Sequence, residues 1–161
     1  MSYEYQLEYS DDQSTWHNMN SAQMIRRNTE SNSEATSVFH PPITARYIRI
    51  ILDQTDGSLW VRVELLGCKV HWVCGQHLGM EDHSIPDSRI TASSSNQDQP
   101  DTPSNCHPTN GRLNQIRNGR VVGGWCAARD DNESPWLQID LLMVTSVEGV
   151  IIQGLDDNTL N

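Results

Sequence analysis

Apolar and polar residues alternate along much of the chain with the two-residue period of a β-strand. In residues 3–9, aromatic and aliphatic side chains occupy every second position, and Glu or Gln fills the positions between them. Segments of this kind are separated by Asn, Asp, Gly, Ser and Pro, which favour turns. The segments predicted as strands are 3–9, 37–39, 45–52, 59–66, 88–92, 136–142 and 147–153. Since no stretch carries a helical stripe of apolar residues, the pattern indicates an all-β sandwich or barrel.

Two features interrupt the alternation. Pro41-Pro42 is expected to end the strand at 37–39, because proline has no N–H to donate to a sheet ladder. Residues 93–114 form a long polar tract without an aromatic side chain. A tract of that length inside a domain is usually functional or disordered, so it is a candidate binding loop.

Length and charge narrow the function classes. The chain has 161 residues, enough for one domain with its own core, and a net charge of −10. Lys69 is its one lysine. This excess of acidic residues argues against nucleic-acid binding and against simple attraction to an acidic membrane surface. No apolar run has the length of a membrane span, and neither a nucleophile elbow nor a metalloprotease motif occurs, so the sequence predicts no enzyme.

The cysteines indicate a compartment. Four cysteines permit two disulfides, which form in oxidising surroundings. The start of the chain has neither the positive nor the apolar region of a signal peptide, so we expect an ectodomain fragment of a longer secreted or extracellular protein.

Two groups of motifs cover nearly the whole chain. The first comprises Leu78-Gly79-Met80-Glu81-Asp82, the run Ile85 to Ser94, Arg112-Leu113-Asn114, Gly124 to Ala128, Trp136 to Leu141 and Val150 to Gly154. The second comprises Tyr5 to Trp16, Pro41 to Ile50 and Leu59 to Cys68. Both groups resemble discoidin domains, also called coagulation factor V/VIII type C domains. The resemblance implies an antiparallel β-sandwich or jelly-roll barrel with ligand loops, called spikes, at one end.

The order of the two groups is reversed relative to the family. Residues 1–68 match the C-terminal half of a discoidin domain, residues 74–161 match its N-terminal half, and residues 69–73 connect them. Two readings follow: a circularly permuted single domain over residues 1–161, or two half-domains of a tandem array. Unpaired edge strands are a liability, so we expect either closure into a monomer or a domain-swapped dimer.

The resemblance also implies cysteine pairing, because the family's first and last cysteines typically pair. Their counterparts are Cys68 and Cys74, which leaves Cys106 and Cys126 for a second bridge. The alternative is zinc, since Cys68, His71, Cys74 and His77 are all zinc-type ligands. Their three-residue steps do not match the paired-ligand spacing of zinc fingers, so the disulfide is favoured.

Family members bind phospholipid, glycan or protein through their spikes, which by position are 96–110, 155–161 and 26–33. Phospholipid binders place bulky apolar residues there, whereas these segments are mostly polar. A cell-surface glycan or protein ligand, as in adhesion, is therefore favoured. The alternatives are a phosphatidylserine-binding module and a structural spacer repeat without a ligand.

Asp130 is the central candidate, because it follows the strand after which peptide-binding relatives place an acid that grips a basic terminal residue. The full set of candidate ligand-binding residues is Asp130, Asp131, Arg129, Arg112, Asn114, Arg26, Arg27, Asn28, Asp156 and Asp157.

The chain has three pairs of adjacent acids that are expected to be solvated turns: Asp11-Asp12, Asp130-Asp131 and Asp156-Asp157. No cofactor is predicted, although some relatives carry calcium. Asn132 begins a glycosylation sequon. The tryptophans at 16, 60, 125 and 136 are expected in the core.

Overall fold

The described part of the chain consists almost entirely of strands. The computed structural model describes residues 4–19, 25–26, 32–52, 60–69, 73–96, 105–118, 122–128 and 134–154. Its strands are β1 (Glu4–Ser10), β2 (His17–Asn18), β3 (Ile25–Arg26), β4 (Ala35–Leu52), β5 (Trp60–Gly67), β6 (Gln76–His77), β7 (Ile90–Ala92), β8 (Trp125–Cys126) and β9 (Trp136–Gln153). Two one-turn 3₁₀ helices, Asp87–Arg89 and Pro108–Gly111, complete the regular structure of these residues. None of their helices has the length and hydropathy of a membrane-spanning segment.

All the strand pairs are antiparallel, in the order β2-β1-β4-β9-β5-β6. The short strands β3, β7 and β8 pair with β1, β9 and β5. The last part of β4 pairs with β1, and the first part of β9 pairs with β7. The last part of β9 instead pairs with β5. The two 18-residue strands therefore run through both layers of a sandwich, which confirms the all-β prediction.

The prediction that Pro41-Pro42 ends a strand is wrong, because β4 continues through both prolines. Ladder pairing with β9 is interrupted there: Val38 pairs with Gly149, and the next pair is Ile43 with Val147. Residues 39–42 thus lie opposite a single residue of β9, in a bulge where the ladder needs no N–H from proline.

Strand β9 joins the two segments that the sequence predicted as separate strands. Ala45 pairs with Thr145 and Tyr47 with Asp140, so residues 141–144 of β9 lie opposite one residue of β4. Within this second bulge, Leu142, Met143 and Val144 are exposed. The break in the alternation therefore marks a bulge within a strand that changes layers.

One apolar core lies between the layers. Alternate residues of the strands build this core, as the two-residue period of a strand requires. Its members include Tyr5 and Leu7 of β1, Ile48 and Ile50 of β4, Val61, Val63 and Leu65 of β5, and Leu137, Ile139, Val150 and Ile152 of β9. Trp125 is fully buried among them, as predicted.

Trp16, Trp60 and Trp136 are partly exposed and so depart from the predicted core position. The rings of Trp16 and Trp136 flank Arg49, whose guanidinium carbon lies 3.6 Å and 4.1 Å from the two ring centroids. The sequence could not distinguish this arrangement from a core position, because a tryptophan that covers a cation also alternates with polar neighbours.

Two disulfides fix the connections between strands. Cys68 is joined to Cys74, which links the end of β5 to the segment before β6. Cys106 is joined to Cys126 of β8. These are the pairings that the family resemblance implies. Since its cysteines are oxidised, the C-x₂-H-x₂-C-x₂-H motif cannot bind zinc through thiolates in this state.

Candidate functional site

One end of the sandwich carries described residues that flank the segments assigned to ligand binding by the resemblance. This end, here termed the loop end, is where β4 and β5 begin and β9 ends. It contains Asn32, Trp60, Arg62 and Gly154 among the described residues. The opposite end carries the Cys68–Cys74 disulfide and the exposed bulge of β9.

A buried arginine holds the loop end together. Arg62 of β5 donates from Nε to the Gly154 carbonyl at 2.8 Å, from one terminal nitrogen to the Gln115 carbonyl at 3.1 Å, and from the other to Asn32 Oδ1 at 2.7 Å. These three acceptors belong to three different segments. A planar guanidinium has its donors in a fixed fork, so it sets the relative positions of all three.

A second set of contacts fixes the base of the first spike. The Asn96 N–H donates to the Cys126 carbonyl at 3.1 Å, and the Cys106 N–H donates to the Asn96 carbonyl at 3.3 Å. The two ends of the intervening segment are thus adjacent, and the Cys106–Cys126 disulfide ties them to β8. Ser94 accepts from Trp125 Nε1 and, through its hydroxyl, from the Ala128 N–H, both at 3.0 Å. The segments that precede residues 97 and 129 are therefore held together by these hydrogen bonds and by the disulfide.

Polar side chains dominate the described surface of the loop end. Asn32, Glu34, Arg117 and Asn118 are exposed. Ile116 is an apolar exception, with 65% of its surface exposed.

The prediction that Arg112 is a ligand-binding residue is wrong. Arg112 is buried, and its guanidinium donates to the carbonyls of Met80 at 2.7 Å and Ile85 at 2.8 Å and to the Asp87 carboxylate. These bonds satisfy two backbone carbonyls, of residues 80 and 85, near the start of the second half of the chain. Arg112 is therefore a structural residue, out of reach of a ligand.

Asn114 is likewise occupied by the framework. Its side-chain amide donates to Glu81 Oε1 at 2.7 Å, and its side-chain oxygen accepts from Gln153 Nε2 at 2.8 Å. Its φ of +58° is a left-handed conformation that asparagine tolerates better than most residues. These hydrogen bonds give Asn114 a place in the framework, and its predicted contact with a ligand stays a prediction.

The remaining predicted site residues mostly lie outside the described residues: Arg129, Asp130, Asp131, Asn132, Arg27, Asn28, Asp156 and Asp157. The backbone of Arg26 lies in β3, opposite Glu4 of β1. The described flanks, Ala128 and Gly154, both belong to the framework of the loop end.

The acid pair Asp11-Asp12 has the expected turn role. Asp12 Oδ1 accepts from the N–H groups of Thr15 and Ser14, both at 2.8 Å. These hydrogen bonds to the charged carboxylate hold the pKa of Asp12 well below its usual range.

Sequence reasoning missed Arg62 as an organiser of the loop end. The available signal was a pair of charged residues, Arg62 and Glu64, within the otherwise apolar run of β5. A strand whose two faces are both covered reads as nearly continuous apolar sequence, so a charge within it indicates a buried network.

Rigid strands that fix polar loops at one end are the architecture of a β-sandwich binding domain. Comparison with known proteins agrees: the model of the F5/8 type C domain matches residues 1–65 and 89–161. The chain belongs to this family, the discoidin domains.

Curated relatives match both halves in one continuous alignment. The chain is 35% identical over 158 residues to the mouse (Mus musculus) EGF-like repeat and discoidin I-like domain-containing protein 3, covering 95% of the chain and 32% of that protein. It is 36% identical over 130 residues to rat (Rattus norvegicus) lactadherin, covering 81% and 29%. Mouse coagulation factor V is 35% identical over 156 residues, covering 94% and 7%.

The chain thus spans about a third or less of the length of these relatives. Nothing among the solved structures matches it. Because the alignments run through both halves, these relatives carry matching segments in the same order as this chain. The relatives and the two disulfides identify it as an extracellular or secreted domain of a family of binding modules.

Proposed function

We propose that the chain is a non-enzymatic recognition module that binds a cell-surface glycan or protein through the polar loops of the loop end. The observation that supports this most strongly is the framework around Arg62, which joins three segments with hydrogen bonds of 2.7–3.1 Å. Loops that are fixed at their bases lose little conformational entropy on binding, so polar contacts suffice for affinity.

Asp130 and Asp131 are the proposed centre of the site. Carboxylates accept hydrogen bonds from sugar hydroxyls and pair with a basic peptide terminus. They follow Ala128, whose N–H is held by Ser94. Arg129, Arg26, Arg27, Asn28, Asp156 and Asp157 are proposed as neighbours on adjacent segments.

A phosphatidylserine-rich membrane is the second candidate ligand. The exposed side chain of Ile116 favours it, because an apolar residue beside a binding loop gains free energy when it enters a bilayer interface. The net charge of −10 opposes it, since an anionic surface repels an acidic domain.

A binding experiment with the oxidised protein distinguishes these ligands. We expect binding on a glycan array or to intact cells, and a loss of about 10-fold or more in affinity for D130N/D131N, because each substitution removes a charge-assisted hydrogen bond. The matched control is D11N/D12N, which removes the same charge from a remote turn and keeps an acceptor oxygen for it.

Liposome sedimentation tests the membrane as the alternative ligand. Strong, salt-sensitive binding to vesicles with phosphatidylserine, and none without it, would favour the membrane ligand. If D130N/D131N bound as tightly as the D11N/D12N control, residues 130–131 would not form the binding site. An absence of binding to glycans, cells and vesicles would favour a spacer repeat.

A further inference from the structure

Three side chains of types that can bind a metal ion lie close together outside the loop end. Glu64 lies on β5, His77 on β6, and Glu81 in the turn after β6. His77 Nδ1 is 3.3 Å from Glu81 Oε2 and 3.7 Å from Glu64 Oε2. One ligand atom from each side chain lies within 4.8 Å of the other two.

The Glu64 carboxylate is held rigidly. Its side chain has no exposed surface. Oε1 accepts from the N–H groups of Leu65, Gly79 and Met80, at 2.9, 3.2 and 3.1 Å. Oε2 accepts from the Glu81 N–H at 2.9 Å. The backbone thus places a buried carboxylate oxygen beside His77 and would hold it there in the absence of the imidazole.

Glu81 is oriented from its other side. Asn114 donates its side-chain N–H to Glu81 Oε1 at 2.7 Å, which leaves Oε2 directed at His77. A hydrogen bond of this kind to the second oxygen of a carboxylate is a typical outer-shell feature of metal sites.

The spacing of the ligand atoms fits a small tetrahedral ion. Zinc binds carboxylate oxygen and imidazole nitrogen at about 2.0–2.2 Å, which separates neighbouring ligand atoms of a tetrahedron by about 3.3–3.6 Å. The separations from His77 Nδ1 to the two carboxylate oxygens, 3.3 and 3.7 Å, lie at or close to that range. Calcium prefers six to eight oxygen ligands, so an imidazole with two carboxylates favours zinc.

We propose that Glu64 Oε2, His77 Nδ1 and Glu81 Oε2 bind one zinc ion, with solvent as the fourth ligand on the exposed side of His77. Glu64 comes from residues 1–68, and the other two ligands come from residues 74–161. The ion would join the two halves of the domain and stabilise their pairing. The site uses His77 of the C-x₂-H-x₂-C-x₂-H motif but neither of its cysteines, which are joined in a disulfide.

The test is a zinc titration of the oxidised, chelator-treated full chain in competition with a chromophoric chelator. A thiol assay first verifies that no cysteine is reduced. We expect one zinc per chain, and affinities weaker by at least about 10-fold in H77A and in E81Q. The matched control is H83N: it removes an exposed imidazole two residues from Glu81, and asparagine tolerates the φ of +61° at that position.

Two further measurements keep the result independent of folding. The melting temperature of each metal-free variant checks that it is folded, and zinc should raise the melting temperature of the wild-type protein more than that of H77A. Unchanged zinc affinity in H77A, a loss in H83N equal to that in H77A, or binding of calcium in preference to zinc would each overturn the proposal.

Discussion

Asp140 joins three parts of the fold through ion pairs. Arg46 of β4 contacts it through two hydrogen bonds, Nε to Oδ1 at 2.9 Å and a terminal nitrogen to Oδ2 at 3.1 Å, and Arg89 contacts Oδ2 at 3.0 Å. Burial alone would raise the pKa of Asp140, but the hydrogen bonds from Arg46, the Leu142 N–H and Arg89 outweigh it and lower the pKa below the ordinary 3.8. The charged carboxylate therefore stabilises the folded state.

This balance predicts a specific pH dependence for D140N. The pKa is lower in the folded chain than in the unfolded chain, so the stabilisation is present above the ordinary carboxyl range and is lost as the pH falls through the lowered pKa. We expect D140N to be less stable than wild type by about 1–2 kcal/mol between about pH 5 and pH 8, with the difference shrinking below about pH 4. Urea unfolding across this range measures it, with exposed D11N as the control. A difference that stays constant at low pH would contradict the assignment.

Single residues also show where sequence reasoning on the site reached its limit. Arg112 was a candidate for ligand binding, and Arg62 was not, yet both are buried and bind backbone carbonyls. A sequence records that a cation is present, but the carbonyls that accept its hydrogen bonds come from segments remote in the chain. Only the tertiary structure distinguishes an arginine that organises loops from one that faces a ligand.

At the scale of strands, alternation was a reliable signal where a strand stays in one layer. It predicted β1 and β5 to within a residue at each end that the structure describes. It failed for β4 and β9, since each long strand contains a bulge that shifts the pattern. A shift in the period resembles the end of a strand, and the partner that bridges the bulge is far away in sequence.

The disulfides should differ in their contributions to stability. A cross-link restricts the unfolded chain more when it closes a longer loop. Cys106 and Cys126 are 20 residues apart, and Cys68 and Cys74 are 6 residues apart. Replacing both cysteines of a pair by alanine should lower the unfolding free energy by about 3 kcal/mol for the first bridge and about 2 kcal/mol for the second.

Guanidinium unfolding of the two double variants, each compared with the fully oxidised protein, measures this order. Cys106 and Cys126 are both buried, so the cavity that alanine leaves adds to the larger loss. A greater loss for the Cys68–Cys74 pair would show that the connection between the halves, rather than the first spike, limits stability.

At the scale of the whole molecule, the site depends on pairing between the two halves. Strand β4 belongs to residues 1–68 and pairs along its length with β9 of residues 74–161. Arg62 comes from the first half, and its acceptors Gln115 and Gly154 come from the second. We propose that the reversed order reflects adjacent halves of consecutive discoidin units, because the relatives share that order over alignments of up to 158 residues.

The central claim is that one chain closes into one discoidin barrel and thereby builds its own loop end. Multi-angle light scattering of the oxidised protein tests it directly. Closure within the chain predicts a single species of 18.2 kDa at all concentrations. A stable species of twice that mass would mean that the halves pair between two chains, and would contradict the claim.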